Sequence, residues 1–209
     1  MKISLDIRGG AALRAIRKQI EAYPQAAAIA AKKTVNEAAA QAAQQAANDI
    51  SQRYTLSAAY VREKLIVHPA KNTANAAVVA KKATFNKARY AATQITAPAP
   101  GAKGDPRRGI PAGRKQAGVS AKILRAGSRK VVRGEFFLPR QRGFGDSAVS
   151  GGNAIGVFWR YGNEIEQVFT VSPSQAYASW IKRNERRITA ELPRSFASHF
   201  AAEIKRLRA

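Results

Sequence analysis

Twelve cations fall within one Gly- and Pro-punctuated tract between Pro98 and Arg142: Lys103, Arg107, Arg108, Arg114, Lys115, Lys122, Arg125, Arg129, Lys130, Arg133, Arg140 and Arg142. Only Asp105 and Glu135 oppose them, and twelve positive charges less two negative leave +10. The chemistry this supports is neutralisation of a polyanion. Like charges on irregular chain repel unless water, salt, phosphate or an acidic partner lies between them. Two readings stay open for Pro98–Arg114: a solvated surface loop, or an arm facing nucleic acid or an acidic neighbour. In the arm reading the contacts are made by Lys103, Arg107, Arg108, Arg114 and Lys115.

Other reactive types are sparse. The two histidines are His68, next to Pro69 at the end of an apolar stretch, and His199, beside Phe196 and Phe200. Both read as packed or surface residues. Asp6, Asp49, Asp105 and Asp146 are scattered, and Glu164 and Glu166 form the one close carboxylate pair. On a strand these two share a face, where a basic residue of another subunit is expected in preference to a metal. Gly101-Ala-Lys-Gly-Asp-Pro and Gly151-Gly-Asn-Ala-Ile-Gly have neither the phosphate-loop ending nor dinucleotide spacing. Cysteine is absent, which removes disulfides and thiolate metal sites and suits a reducing compartment. No catalytic residue, cofactor or metal ligand is expected, and the chain does not read as an enzyme.

The bulk numbers bound the rest. A chain of 209 residues with 45% hydrophobic content can build a core. Its net charge of +23 points to polyanion or acidic protein neighbours. Met1–Asp6 lacks the apolar run of a secretory signal, so none is expected there. Lys32, Lys33, Asn36 and Glu37 interrupt the longest Ala-rich run, and no membrane span is expected.

Periodicity places the elements. Ile3, Leu5 and Ile7 alternate with polar residues as a half-buried strand over Lys2–Arg8. Leu13, Ile16 and Ile20 recur at helical spacing over Ala11–Ala22, and Tyr23-Pro24 breaks or bends that helix. From Pro24 to about Gln52 a long helix is expected, with twelve alanines in the 22 residues from Ala26 to Ala47. Its small-residue face is either a seam against helices of other subunits or an ordinary internal face with Ile29, Val35 and Ile50 inward.

Thr55 or Ser57 caps a short helix carrying Leu56, Tyr60, Val61 and Leu65, on which Arg62 and Lys64 only superficially suggest DNA recognition. Strands are expected over Ala76–Ala80, Tyr90–Thr96, Val119–Leu124, Val131–Leu138, Ile155–Tyr161 and Gln167–Val171, the turn Tyr161-Gly-Asn-Glu pairing the last two as a hairpin. Gly143–Gly152 reads as a flexible connection. Ser172-Pro173-Ser174 opens a final helix that kinks or restarts at Pro193, with Leu192, Phe196, Phe200, Ile204 and Leu207 along one side.

A resemblance runs through Gly134-Glu-Phe-Phe, Val157-Phe-Trp-Arg, Glu166–Val171, Tyr177-Ala-Ser-Trp-Ile and Arg187-Ile-Thr-Ala-Glu-Leu-Pro-Arg-Ser-Phe-Ala-Ser-His-Phe. Weaker agreement comes from Ala26-Ala-Ala-Ile-Ala-Ala-Lys-Lys-Thr-Val-Asn-Glu and Tyr60-Val-Arg-Glu-Lys-Leu. In order and character these resemble the minor tail protein Z family, the tail completion proteins of long-tailed bacteriophages. The resemblance implies a virion protein of the tail or neck, assembled in the host bacterial cytoplasm. It further implies a homo-oligomeric ring, expected to be a hexamer, between the tail terminator and the head-tail connector, around the path of the genomic DNA. Contact with that DNA would be non-specific, and no membrane is involved. Candidates for packing between subunits are Ala27, Ala31, Ala39, Ala43, Trp159 and Tyr161.

The expected fold is α+β: a long N-terminal Ala-rich helix, an antiparallel sheet of about 4–6 strands, a kinked C-terminal helix and an extended basic loop. Residues 1–209 read as a single domain, with 98–118 a flexible basic loop or arm. The alternative function is a non-specific nucleic-acid-binding protein of ribosomal or nucleoid type. Against it, Phe158, Trp159, Tyr161 and Phe169 lie in apolar strands, away from the cations a stacking surface would interleave. A nuclease would need an acidic cluster that the chain lacks.

Overall fold

Alanine enters a helix without losing side-chain entropy, and the Ala-rich segment forms α1, Pro24–Arg53, a helix of 30 residues. The computed structural model describes residues 2–4, 18–71, 74–81, 85–139, 148–150 and 153–208. Within them lie α2 (Ala58–Glu63) and α3 (Pro173–Arg208). The strands are β1 (Lys2–Ser4), β2 (Leu65–His68), β3 (Asn75–Ala80), β4 (Thr93–Pro98), β5 (Arg114–Ala121), β6 (Lys130–Val132), β7 (Glu135–Pro139), β8 (Ala148–Ser150), β9 (Asn153–Tyr161) and β10 (Glu164–Gln167). The chain is α+β, and its strands are shared among three antiparallel sheets: β1-β3-β2, β4-β5-β6, and β10-β9-β7 with β8 also on β9. Residues cluster into two units, Met1–Ala47 with Arg62–Lys81 and Tyr177–Ala209, and Asn48–Val61 with Lys82–Ala176.

In the first unit α1 and α3 pack antiparallel. Partners climb one helix as they descend the other: Tyr23 Oη with Arg208 Nη2 at 3.3 Å, Lys33 Nζ with Glu203 Oε1 at 2.5 Å, Glu37 Oε2 with His199 Nε2 at 2.7 Å, and Gln45 Oε1 with Arg187 Nη2 at 2.8 Å. Ala26, Ala27 and Ala30 leave the room that Phe196 and Phe200 fill. Two phenyl rings, stacked 5.6 Å apart, supply the apolar area the alanines lack. Val35 and Ile50 are buried as the internal-face reading expects, whereas Ile29 turns outward. Glu203 is buried beside Lys33, whose hydrogen bond chiefly holds its carboxyl below the usual range. The β2–β3 hairpin, with Leu65 opposite Ala80, and β1 form this unit's sheet. Trp180 and Tyr177 are buried and stacked, and burial pushes the Tyr177 hydroxyl up to about 12.

The second unit joins two sheets. Val119 of β5, Phe137 of β7 and Val157 of β9 form a buried cluster with Ala88, Ala92 and Val168 against it. Asn86, fully buried, caps the 3₁₀ turn at Lys87–Arg89 by accepting the Ala88 N–H, and its Oδ1 also lies 3.4 Å from the Val157 amide. Next to it Lys87 Nζ meets both Glu135 carboxylate oxygens at 2.6 Å, clamping the turn to β7. Glu135 therefore belongs to this buried pair rather than offsetting the basic tract. Phe85, Tyr60, Tyr90 and Tyr54 form a chain of ring contacts, and burial pushes the Tyr90 hydroxyl up to about 12.

Several boundaries differ from those read in the sequence. Val131–Leu138 is two strands, β6 and β7, parted by a turn at Arg133-Gly134. The Gln167–Val171 strand lies earlier, as β10, and β2 and β8 were not anticipated. Ser57, not Thr55, caps α2 by accepting the Tyr60 N–H at 3.3 Å. Ser172 and Gln175 exchange hydrogen bonds at 3.1 and 3.0 Å as a capping box opening α3. α3 passes through Pro193 as one helix and does not restart there. Within Ala11–Ala22, residues 18–22 are helical. The expected strand over Leu5–Arg8, the helix over Ala11–Arg17 and most of the Gly143–Gly152 connection lie outside the described residues.

Candidate functional site

The basic tract is built on β4 and β5. Their ladder ends at Pro98 opposite Arg114, with a bulge where the register shifts between Ile95 and Thr96. Backbone pairing continues past the strands: Ala99 N–H donates to Gly113 O at 2.8 Å, and Gly113 N–H to Ala102 O at 2.8 Å. Further out, Asp105 and Ile110 exchange both bonds, at 2.7 and 2.9 Å, around a 3₁₀ turn at Pro106–Arg108. Asp105 caps that turn and pairs with Arg108 Nε at 2.5 Å, and this guanidinium holds its carboxyl below the usual range. Gly104, at φ 73°, lies so close to Ile110–Ala112 that a Cβ would stand 2.6 Å from Pro111 C. The tip also packs on β7. The stretch 98–118, read as a flexible arm, is instead a nested hairpin, because Asp105 caps it and the chain pairs with itself.

This framework fixes where each candidate cation lies. Arg108 is tied to Asp105 and Gln116. Arg114 donates to Thr96 Oγ1 at 2.7 Å and to Thr96 O at 2.9 Å. Lys103, Arg107 and Lys115 are exposed. Farther along, Arg125 donates to Ser51 O at 2.7 Å and Arg129 to Ala91 O at 2.8 Å, while Lys130 and Arg133 are exposed at the β6 edge. A carbonyl partner fixes a guanidinium without cancelling its charge. Of the twelve tract cations, Arg140 and Arg142 lie outside the described residues and Arg108 has Asp105; the other nine have no carboxylate in ion-pair reach among the described residues. The result is a positively charged surface in which Arg108, Arg114, Arg125 and Arg129 are held by hydrogen bonds and the exposed cations stand on an ordered backbone.

The proposed packing residues divide. Ala27, Ala39 and Ala43 are buried within the chain, Ala27 against Phe196 and Phe200 with Ala31 packed beside it, so they form no open seam. Trp159 and Tyr161 are exposed. They stand on β9 opposite Glu166 and Glu164 of β10, across a two-residue turn whose first position, Gly162, has φ 58°. His199 is spent on Glu37, and His68 lies exposed at the end of β2. Arg62 donates to Leu65 O at 2.8 Å, closing the end of α2 rather than facing outward as a base reader. No group of three His, Asp or Glu that could hold a metal occurs among the described residues. None of their helices is long and apolar enough to cross a membrane.

The composition-based reading missed the Lys87–Glu135 clamp, since neither residue has a local partner in sequence. It also missed the nested hairpin, although Asp105-Pro106 followed by Gly109 is a turn signature. No family model matches this chain, and no curated protein and no solved structure matches it.

Proposed function

We propose that this chain is a structural protein of a bacteriophage neck or tail, of the minor tail protein Z kind, without enzymatic activity. Its subunits close into a ring at the head-proximal end of the tail. The ring completes the tail, supports head joining and surrounds the DNA path. One observation carries this reading: nine cations unmatched by carboxylates among the described residues, placed on the nested hairpin, β5, the β5–β6 connection and the β6 edge. Such cations release counterions from phosphates without reading bases, and this suits DNA that must slide. Among the described residues, the exposed Trp159 and Tyr161 sit on a different hairpin from the basic one, which speaks against rings interleaved with cations as in a single-strand binder.

Native mass spectrometry of the purified protein, paired with DNA binding across a salt series, tests the proposal. A closed oligomer is expected, binding duplex DNA without sequence preference and losing affinity steeply with salt. A monomer that binds chosen sequences tightly refutes it and returns the assignment to a nucleoid or ribosomal binder.

A further inference from the structure

The tip of the β9–β10 hairpin overhangs its own core. Val157 is fully buried, yet every residue from 159 to 166 is exposed. Trp159 retains 39% of its accessible surface, Tyr161 77% and Ile165 44%. The register sets Trp159 opposite Glu166 and Tyr161 opposite Glu164, so two aromatic rings and two carboxylates share one side of the ribbon. It is the side that carries Val157 into the core, continued past the core's edge. β10 is the last strand of its sheet.

Such a face is chemically a cation acceptor, because carboxylates supply ion pairs and the rings supply cation–π contact. The chain has 13 acidic residues against 36 basic ones, and two of the scarce acids stand here without an ion pair among the described residues. On the β4–β5 hairpin, Lys103, Arg107 and Lys115 are exposed and likewise unpaired among the described residues. The chain thus presents an acidic aromatic surface and a basic one, each without an ion-pair partner among the described residues.

We infer that the Trp159–Glu166 tip docks onto the Lys103, Arg107 and Lys115 cations of a second copy of this chain, a head-to-tail contact. The inference rests on the ring reading and names its interface. A two-fold arrangement, tip on tip or basic hairpin on basic hairpin, would set like charges against each other. Between these two surfaces the heterologous pairing is the one that brings opposite charges together, and a heterologous contact closes into rings when its rotation permits. The β6-edge cations Lys130 and Arg133 then remain for phosphate.

Two charge-reversed proteins test this. Glu164→Lys with Glu166→Lys alters the tip, and Lys103→Glu with Arg107→Glu and Lys115→Glu alters the basic hairpin. All five positions are exposed, and far-UV circular dichroism checks that each variant folds. Sedimentation at low salt is expected to show assembled wild type and monomeric variants, with self-affinity roughly 100-fold or more weaker. An equimolar mixture is expected to reassemble, because each reversed surface now complements the other protein's reversed surface. Variants that assemble like wild type, or a mixture that stays monomeric, overturn the interface while leaving the ring reading standing. A wild type that is monomeric at every concentration overturns both.

Discussion

Replacing Glu135 with Gln leaves the Lys87 ammonium buried without its counter-charge, and the geometry sets the expected loss. Lys87 Nζ lies 2.6 Å from both carboxylate oxygens, and the two side chains are 9% and 5% exposed. At an effective dielectric of about 20, unit charges at that separation attract by roughly 6 kcal/mol. Desolvation offsets most of that attraction in the intact pair. Removing one partner leaves the other's desolvation uncompensated, so the single variant should lose about 3–5 kcal/mol. For a chain of this length that corresponds to a fall in Tm of roughly 6–20 °C. Lys87→Met combined with Glu135→Leu keeps the volume and removes both charges, and should return to within about 1 kcal/mol of wild type. Urea unfolding followed by circular dichroism and tryptophan fluorescence measures all three proteins. If Glu135→Gln lies within 1 kcal/mol of wild type, or the double variant is as weak as the single, the clamp does not hold the 3₁₀ turn to β7 as argued.

Three further outcomes are expected. Lys130→Ser with Arg133→Ser should flatten the log–log salt dependence of DNA binding by about 1.8, near 0.9 per lost phosphate contact, while assembly by sedimentation stays unchanged; an unaltered slope counts against phosphate contact at the β6 edge. Gly104→Ala forces a Cβ to 2.6–2.7 Å from backbone atoms of residues 110–112 at φ 73°. About 1–3 kcal/mol of strain should then speed amide exchange at Asp105 and Ile110 by roughly 5- to 150-fold. Glu203→Gln removes a carboxylate whose folded-state pKa is lowered from 4.5, first by the Lys33 hydrogen bond. Its stabilisation is present above that value and lost as pH falls through the lower folded one. Urea midpoints of variant and wild type should therefore differ near neutrality and converge in acid; a gap independent of pH would contradict the assignment.

Local rules carried the sequence reading where the controlling partners were near neighbours. α1 followed from alanine propensity, and the β9–β10 hairpin followed from alternation on either side of Gly162-Asn163. The reading failed where the partner was distant. Ala27 and Ala31 looked like an open seam because Phe196 and Phe200, which pack on that stretch of α1, lie far along the chain. Charge density made residues 98–114 look unstructured, yet one capping Asp and backbone pairing from Ala99 to Gly113 suffice to order them. The same density hid Glu135, whose burial depends on Lys87, 48 positions earlier. Of the candidate site, the identities of the cations were legible, whereas which of them are pinned and which stand outward depended on tertiary hydrogen bonds.

The antiparallel α1–α3 pair also dictates the order of events on the ribosome. The segments of the second unit leave the exit tunnel before Tyr177, whereas Ala26, Ala27 and Ala30 of the first unit need Phe196 and Phe200 to cover them. A nascent chain can therefore complete its cationic sheets while α1 still waits uncovered for Phe196 and Phe200. Premature stops before Phe196 should accordingly yield chains that chaperones retain, even though the hairpins are already synthesised.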